Sequence, residues 1–158
     1  MLTIWGRINS INVMKVLWTC AELGIAYERI DAGMQHGVVD TDHYGAMNPN
    51  RRVPTIRDGE FVLWESNAIV RYLAMRERRT DLLSHHARER ADAERWMDWS
   101  TSTLAAPMTT QFWQLIRTPA ERRDAVQIER ATADNARLFG LLDRQLATRS
   151  HLSGDDLT

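Results

Sequence analysis

The sequence predicts an α/β layer with the element order βαβ and then ββα, followed by a domain built of helices alone. Short β-branched and aromatic runs flank a helical pattern near the start, and Asp58-Gly59 is a strong turn signal between two further runs. In the second half, apolar residues recur at helical spacing and no strand pattern returns. The predicted bounds are 1–78 for the α/β domain, 79–86 for a linker and 87–158 for the helical domain.

The first predicted strand is Leu2–Trp5, which is short and apolar and ends at Gly6. A helix follows, and Gly24 stands where such a helix ends. A second strand covers 26–30. Because a strand, a helix and a strand of this length form a βαβ unit, the two strands are predicted to be parallel. The apolar face of the helix consists of Val13, Val16, Leu17, Cys20 and Leu23.

The next segment lacks sustained periodicity and predicts a loop with one short helix near 40–47. The runs 54–57 and 61–64 on either side of the turn signal predict an antiparallel hairpin. Ser66 is then predicted to cap a helix. The apolar positions of that helix are Ile69, Val70, Leu73 and Ala74.

Charged residues dominate 76–86, and two long helical patterns follow at 87–116 and 119–148. Pro107 predicts a kink in the first pattern, because proline lacks the N–H that a helix interior needs. The final residues 153–158 read as a turn and the start of another helix, so we expect a further helical part of the domain to be absent from this chain. The apolar side of the second pattern is formed by Ile128, Ala131, Leu138, Leu142 and Leu146.

Composition excludes several classes of partner. The 20 basic and 21 acidic residues nearly cancel to a net charge of -1, so no surface for nucleic acid or an anionic membrane is predicted. No leader and no apolar run of about 18 residues is present, so a cytoplasmic location is expected. The single cysteine, Cys20, excludes an internal disulfide. The adjacent His85 and His86 diverge by about 100 degrees on a helix, and no metal site is predicted.

The peptide bond between Val53 and Pro54 has two interpretations. A trans bond would make Pro54 an ordinary strand start, and only about 5–6% of X-Pro bonds in folded proteins are cis. A cis bond would turn the backbone N–H and C=O of Val53 outward, where they can pair with an extended peptide-like ligand.

Glu65 and Ser66 open the following helix and offer a site for a small zwitterion. The free N–H groups of a helix N-terminus bind anions, and Glu65 adds a negative charge for a cation. Together they fit the α-carboxylate and α-ammonium of an amino acid. The alternatives are that Ser66 is only an N-cap and that Glu65 is an ordinary solvated residue.

Ser10 and Asn12 lie between the first strand and the first helix, at the edge where α/β folds bind ligands. Either residue can be an ordinary helix cap. Either can also donate a hydrogen bond to a thiolate and lower a thiol pKa from about 8.5 toward neutrality. Because Cys20 lies on an apolar face and no Ser/His/Asp order is present, the nucleophile would come with the ligand.

Three segments carry a family resemblance: 6–18 with Ser10 and Asn12, 48–54 ending in Val-Pro, and 65–73 beginning with Glu-Ser. In this order they resemble the cytosolic glutathione S-transferases, of the bacterial serine-type, theta-like kind. The resemblance implies a thioredoxin-like N-terminal domain, an all-helical second domain that is incomplete here, and a homodimer with sites near the subunit interface.

The same resemblance implies how glutathione binds. Glu65 and Ser66 would hold the γ-glutamyl end of the tripeptide, and Val53 before cis-Pro54 would pair with the cysteinyl backbone. Near the glycine carboxylate the resemblance implies Arg51 or Arg52, together with His43. No metal is implied.

For the chemistry, the resemblance implies that the Ser10 hydroxyl stabilises the thiolate and that Asn12 is a second donor. A tyrosine-type site is not supported, because the first tyrosine is Tyr27 in the second strand. The second domain would supply the pocket for a small hydrophobic electrophile, although a helical stripe of large residues is also typical of a core. The pocket candidates are Trp99, Thr103, Met108, Phe112 and Trp113.

Three functions follow as hypotheses. The first is a glutathione transferase that conjugates the tripeptide to an electrophile. The second is a glutathione-dependent disulfide reductase that uses Asn12, since no cysteine stands at the Ser10 position. The third is a non-catalytic binding module of the same fold.

Overall fold

In the computed structural model, which describes residues 1–154 and 157–158, four strands form one mixed sheet in the first half of the chain. Their bounds are Leu2–Trp5 (β1), Tyr27–Ile30 (β2), Thr55–Asp58 (β3) and Phe61–Trp64 (β4). Across the sheet they lie in the order β2-β1-β3-β4. The sheet belongs to the unit Met1–Leu83, and Ser84–Thr158 forms a second unit. The boundary between the units falls within the predicted linker 79–86.

The predicted βαβ unit is confirmed. Helix α1, Ile11–Leu23, joins β1 to β2, and these two strands are parallel. Gly24 ends the helix at φ 65°, a left-handed conformation that glycine adopts without a Cβ clash. The buried side chains of α1 are Val13, Val16 and Cys20, as the helical spacing predicts.

One row of cross-strand residue pairs lies at one end of the sheet. Trp5, the last residue of β1, lies opposite Ile30 of β2 and opposite Thr55, the first residue of β3. Thr55 in turn lies opposite Trp64, the last residue of β4. The segments that follow β1 and β4 and the segment that precedes β3 therefore emerge at the same end of the sheet. These segments carry the predicted site residues of the first domain.

The hairpin and the helix after it confirm the ββα prediction. Strands β3 and β4 are antiparallel, and Gly59 in the turn between them has φ 60°. Helix α3, Ser66–Arg76, packs against α1 on the sheet. Apolar side chains from both helices and the sheet form one core, which consists of Leu2, Ile4, Val16, Cys20, Ile56, Ile69 and Leu73.

A second, smaller core lies under the loop between β2 and β3. Helix α2, Asp42–Met47, begins slightly later than predicted and inserts the fully buried Tyr44 beside Trp5 and Ala32. A short 3₁₀ turn at Met34–His36 precedes it, which the sequence pattern did not predict. This core fixes the loop that leads into β3.

Asp58, at the end of β3, ties the hairpin to α3. The hydroxyl of Tyr72 donates a hydrogen bond of 2.8 Å to Asp58 Oδ2, and Nη1 of Arg76 donates one of 2.5 Å to the same oxygen. The bond from Arg76, and after it the bond from Tyr72, holds the pKa of Asp58 below its ordinary value.

The first long helical pattern is not one regular α-helix. Helix α4, Ala87–Trp99, and helix α5, Ala105–Phe112, are separated by a π-helical turn at Ser100–Leu104. Pro107 lies in α5 and has no N–H for the carbonyl four residues before it, in the π-helical turn. A second π-helical turn, Trp113–Arg117, ends this region. The sequence pattern gave the extent of the region and missed both turns.

The second long pattern begins later than predicted. Helix α6 covers Ala125–Leu146, because the Asp124 side chain accepts hydrogen bonds from the backbone N–H groups of Val126 and Gln127 and so fixes the start. Ala131 and Leu138 are buried as predicted, whereas Leu146 is 44% exposed. The predicted apolar side also includes a buried polar residue, Asn135, whose Nδ2 donates to Gln111 Oε1 of α5 at 2.7 Å.

Two further sequence predictions concern the membrane and the chain end. Within residues 1–154 and 157–158, the structure contains no helix with the length and apolar character to cross a bilayer. The helix start predicted near the end of the chain falls on Asp155 and Asp156, which lie outside the described residues.

We predict that Asp58→Asn destabilises the first unit by about 1–2 kcal/mol at neutral pH, because two donors lose a charged acceptor. Since the pKa of Asp58 is lower in the folded than in the unfolded chain, its contribution is complete above the unfolded value of about 3.9 and is lost as the pH falls through the folded value. The difference in unfolding free energy between wild type and variant should therefore shrink on acidification, measured by urea unfolding at pH 7 and pH 3.

Asp143→Asn is the matched control for this experiment, since Asp143 is an exposed aspartate of α6. It should leave the unfolding free energy within about 0.5 kcal/mol of wild type. A destabilisation by Asp58→Asn that is the same at both pH values would contradict the assigned ionic role.

Candidate functional site

The predicted site residues of the first unit gather at the end of the sheet where Trp5, Thr55 and Trp64 are paired. Ser10 and Asn12 follow β1, the Val53-Pro54 pair precedes β3, and Glu65 with Ser66 follows β4. Strand pairing thus brings together segments that are far apart in the chain, and Ser66 and Asn12, 54 positions apart, are hydrogen-bonded.

Ser10 occupies the N-cap position of α1 with extended backbone angles, φ −91° and ψ 122°. Its carbonyl accepts the first helical hydrogen bond, from Met14 N at 2.8 Å, but its side chain makes no capping bond. The residue is only 7% exposed. A hydroxyl at a helix N-terminus that does not cap the helix is available as a donor to a ligand.

Asn12 lies one residue inside α1, and its side chain meets the start of α3. Oδ1 of Asn12 accepts a hydrogen bond of 3.3 Å from the hydroxyl of Ser66. Because Oδ1 is the acceptor, the side-chain amide of Asn12 keeps its two N–H donors for other partners. The two helix N-termini are therefore joined directly by predicted site residues.

The N-cap of α3 lies one residue earlier than the sequence pattern predicts. Ser66 is the first residue of α3 and does not cap it, while Glu65 holds the N-cap position and makes no side-chain capping bond. The prediction of Ser66 as the N-cap is wrong because Glu65, at φ 72°, turns the chain into the helix. Such a conformation is costly for a residue other than glycine, and strained backbone of this kind is typical of functional sites. The exposed Glu65 carboxylate stays free of the capping role.

The Val53–Pro54 peptide bond is cis, as the peptide-binding interpretation requires. Pro54 is buried and Val53 is partly exposed. Buried side chains bind the backbone that precedes this bond. The hydroxyl of Tyr44 donates a hydrogen bond of 2.7 Å to the Arg52 carbonyl, and Nδ2 of Asn48 donates a second at 2.9 Å.

Arg51, Arg52 and His43 differ in their surroundings. The Arg51 guanidinium donates to the carbonyls of Val39 at 3.2 Å and Thr41 at 2.9 Å, so it braces the segment before α2. The side chains of Arg52 and His43 are exposed. The Arg51 side chain is itself 39% exposed, so the two arginines differ in the contacts of Arg51 with the loop carbonyls.

Two cationic side chains at this site were missed by sequence reasoning. Arg7 and Val53 both lie close to Gly33: a Cβ added to Gly33 would be 3.2 Å from Arg7 Nη1 and 3.5 Å from Val53 Cγ1. Among the described residues, the buried Nε of Arg7 has no hydrogen-bond partner. Its position between β1 and Ser10 was the available signal, but an arginine in a turn is commonly a solvated residue.

Lys15 is the second cation, and it is the only lysine of the chain. Its Nζ donates a hydrogen bond of 3.0 Å to Oδ1 of Asn67, which follows Ser66 in α3. Burial lowers the pKa of Lys15 from its ordinary value, while the Glu65 carboxylate acts in the opposite direction. Lys15 thus places a positive charge between the N-terminal parts of α1 and α3.

The predicted electrophile residues all lie in the second unit. Trp99 ends α4, where its ring packs edge-on against Trp96 with centroids 5.6 Å apart. Together with Arg95, Leu141, Arg144 and Gln145, these two tryptophans line an open cleft of about 540 Å³ between α4 and α6. The other candidates are exposed and lie in or near α5: Thr103, Met108, Phe112 and Trp113.

Comparison with known proteins gives the family. Residues 1–75 match the family profile described as the glutathione S-transferase N-terminal domain. Over 158 residues the chain is 46% identical to glutathione S-transferase GstB of Escherichia coli strain K12, and the match covers 99% of this chain and 76% of GstB. The chain belongs to the glutathione S-transferase family. The transferase class predicted from the sequence is thereby confirmed.

Solved glutathione S-transferases share the fold. A theta class glutathione S-transferase from Xanthomonas axonopodis pv. citri, with glutathione bound, matches with a TM-score of 0.94 and 46% identity over 99% of this chain and 75% of that one. Glutathione transferase F2 from Populus trichocarpa matches with a TM-score of 0.91 at 22% identity, over 100% of this chain and 76% of that one. The predicted thioredoxin-like domain followed by a helical domain is confirmed.

In this glutathione S-transferase the single cysteine is not placed for chemistry. Cys20 of α1 is fully buried in the core that the sheet, α1 and α3 form, and burial raises the pKa of its thiol to about 11. At neutral pH the thiol is therefore protonated. Within residues 1–154 and 157–158, no group of three or more His, Cys, Asp and Glu side chains could hold a metal ion.

We predict that the Cys20 thiol of the native transferase reacts with an aromatic disulfide reagent at pH 8 at least about 100-fold more slowly than in urea, because both burial and the raised pKa suppress the thiolate. The measurement is the absorbance of the released aromatic thiolate, with Cys20→Ala as the blank that contains no thiol. Rapid reaction of the native protein would show that the thiol is accessible and ionised.

Proposed function

We propose that this transferase binds glutathione at the end of its sheet, stabilises the glutathione thiolate with Ser10 and conjugates it to a small electrophile. The observation that carries the proposal is the hydroxyl of Ser10, a residue only 7% exposed, which makes no capping bond and lies on the same sheet end as cis-Pro54 and Glu65-Ser66. A relative of known structure, the theta class enzyme from Xanthomonas axonopodis pv. citri, is described with glutathione bound.

In this proposal the γ-glutamyl end of glutathione lies at the start of α3. The Glu65 carboxylate binds the α-ammonium, and the N–H groups at the helix start bind the α-carboxylate, to which the Ser66 hydroxyl turns its one hydrogen when the ligand enters. In the structure the Ser66 hydroxyl donates that hydrogen to Asn12 Oδ1 at 3.3 Å, so the side chain already lies at the junction of the two helices, and the ligand replaces Asn12 as its acceptor. Lys15 limits the negative charge that accumulates when a carboxylate enters beside Glu65.

The cysteinyl part of glutathione then pairs with the backbone of Val53, which precedes cis-Pro54. The glycine carboxylate binds on the far side of that pair. Arg52 and His43 are its proposed partners because their side chains are exposed, and Arg51 contributes indirectly by bracing the α2 segment.

The chemical step needs no protein nucleophile. Glutathione loses its thiol proton to solvent, and the thiolate sulfur accepts a hydrogen bond from the Ser10 hydroxyl, which lowers the thiol pKa. The sulfur then forms a bond to the electrophilic carbon, and the leaving group departs with the bonding electron pair. The Asn12 amide and the Arg7 cation are further groups near the same helix start that favour the anion.

The electrophile is proposed to bind to the second unit. The electrophile pocket uses Trp99, Thr103, Met108, Phe112 and Trp113, whose large apolar members are partly or mostly exposed in the second unit. The enzyme is proposed to be a homodimer in the cytoplasm, where its single thiol stays reduced. Light scattering of the purified protein tests the dimer.

Two other functions are distinguished by paired assays. A disulfide reductase that uses Asn12 would reduce hydroxyethyl disulfide with glutathione faster than it conjugates an aryl halide. A non-catalytic binding module would bind glutathione in calorimetry and show neither activity. The proposed transferase binds glutathione and favours the aryl halide.

We predict that Ser10→Ala raises the thiol pKa of bound glutathione from near neutrality to about 8.5, the value of an unassisted thiol. Loss of one donor to a developing charge should also lower kcat/KM by about 10²-fold at pH 6.5. The measurement is the ultraviolet absorbance of the thiolate as a function of pH with saturating glutathione.

Ser150→Ala is the control for Ser10→Ala, because Ser150 is an exposed serine of the second unit. It should titrate like wild type. An unchanged thiolate titration in Ser10→Ala would remove the assigned role of Ser10, while loss of glutathione binding in the wild type itself would remove the whole proposal.

A further inference from the structure

The carbonyl of Arg52 belongs to the peptide group that also contains the N–H of Val53. This carbonyl is held by two buried donors, the Tyr44 hydroxyl at 2.7 Å and Asn48 Nδ2 at 2.9 Å. The cis bond of this segment lies one peptide later, at Val53–Pro54, so the Arg52–Val53 peptide is trans. In a planar trans peptide the C=O and the N–H point in opposite directions. Holding the Arg52 carbonyl inward therefore aims the Val53 N–H away from Tyr44 and Asn48.

The hydrogen atoms of this cluster have a single consistent arrangement. Tyr44 has one hydroxyl hydrogen, which it donates to Arg52, so the 2.8 Å contact between Tyr44 and Thr55 requires the Thr55 hydroxyl to donate. Thr55 Oγ1 accepts in return from Asn48 Nδ2 at 3.0 Å. The cluster of Tyr44, Asn48, Thr55 and the Arg52 carbonyl is thus a closed network, which we name the carbonyl clamp.

The orientation of Asn48 is fixed as well. Its Oδ1 accepts a hydrogen bond of 3.0 Å from the backbone N–H of Asn50, which leaves only Nδ2 to face the Arg52 carbonyl and Thr55. Tyr44 and Thr55 are fully buried, and Asn48 is 2% exposed. Any rotation of a member would leave a buried polar group without a partner, which is costly.

The clamp is anchored to the sheet. Thr55 is the first residue of β3 and lies opposite both Trp5 and Trp64, in the row of pairs that ends the sheet. Tyr44 comes from α2, so the clamp connects this helix to the sheet end. The peptide group before cis-Pro54 is consequently positioned relative to the segments that carry Ser10 and Ser66.

We infer that Tyr44, Asn48 and Thr55 are positioning residues for glutathione: they preorganise the Val53 N–H to donate to the cysteinyl carbonyl of the tripeptide. The inference rests on the proposed function and adds the side chains that set the direction of its backbone contact. Preorganisation of this kind lowers the cost of binding without touching the thiol. The clamp therefore acts on the affinity for glutathione and leaves the thiol pKa to Ser10.

The first test is Tyr44→Phe, which removes one donor to the Arg52 carbonyl and keeps the ring. Its KM and calorimetric Kd for glutathione should rise about 5–10-fold, while kcat and the thiol pKa of bound glutathione stay close to wild type. Tyr72→Phe is the matched control, since the Tyr72 hydroxyl also makes a hydrogen bond in the first unit, to Asp58 on the hairpin. It should bind glutathione like wild type.

The second test uses a glutathione analogue in which a trans-alkene replaces the cysteinyl–glycine amide. The analogue keeps the thiol and the shape but has no carbonyl to accept from Val53 N–H. It should bind wild type about 5–10-fold more weakly than glutathione, and this penalty should shrink to about twofold in Tyr44→Phe. A role in stability alone would not change the penalty.

The outcomes distinguish failure of the proposed function from failure of this inference. If wild type does not bind glutathione, the proposed function and this inference both fail. If wild type binds but Tyr44→Phe binds equally well, or binds more weakly with an undiminished alkene penalty, only the inference is overturned. If Tyr44→Phe does not fold, Thr55→Val replaces it in the same comparison, and Thr55→Ser, which keeps the hydroxyl, should restore the wild-type alkene penalty.

Discussion

The pairing of Thr55 with Trp5 on one side and with Trp64 on the other is the constraint on which the candidate site depends. It places the end of β1, the start of β3 and the end of β4 in one row. Each of these strand ends is followed or preceded by one part of the proposed glutathione site. The chemistry is therefore distributed over segments that the chain separates widely and the sheet brings together.

The site combines anchored and available polar groups. The groups that shape the backbone, such as Tyr44 and Asn48, have their hydrogen-bonding capacity used within the protein. The groups proposed to meet the ligand, Ser10 and Glu65, occupy N-cap positions and make no side-chain capping bonds. In the proposal, one set of residues therefore fixes the backbone that binds glutathione, and another, which includes Ser10, acts on the ligand directly. Because the one cysteine is buried with a raised pKa, the reactive sulfur has to arrive with the substrate.

Much of the fold could be predicted from local sequence signals. Strand-like apolar runs on either side of a helically spaced apolar segment predicted the βαβ unit, and the Asp58-Gly59 turn signal predicted the hairpin. Gly24 predicted the end of α1, which the structure confirms. The starts of helices were less predictable. Ser66 has the residue type of an N-cap, yet the backbone of Glu65 takes that position because of its left-handed φ. The two π-helical turns are too short to change the helical spacing of the apolar residues, so the sequence predicted one long helix across the region that contains both.

The site was predictable where a residue type suits a local role, and not where partners are distant. Ser10 and Glu65 could be identified from their places before helices, and cis-Pro54 from the family resemblance. Tyr44 and Lys15 could not, since their contacts with Arg52 and Asn67 join residues that no short pattern connects. Arg51 is a further case: its charge predicts a ligand contact, and the structure adds that its guanidinium binds two loop carbonyls, which no local pattern indicates.

The most direct test of the central claim is an amide NMR titration of the full chain with glutathione. If the sheet end is the binding site, the largest saturable shifts should appear at the amides of Ser10, Val53 and Ser66 together, with one common Kd. Saturable binding that shifts amides of α4 to α6 and leaves Val53 and Ser66 unmoved would contradict the account.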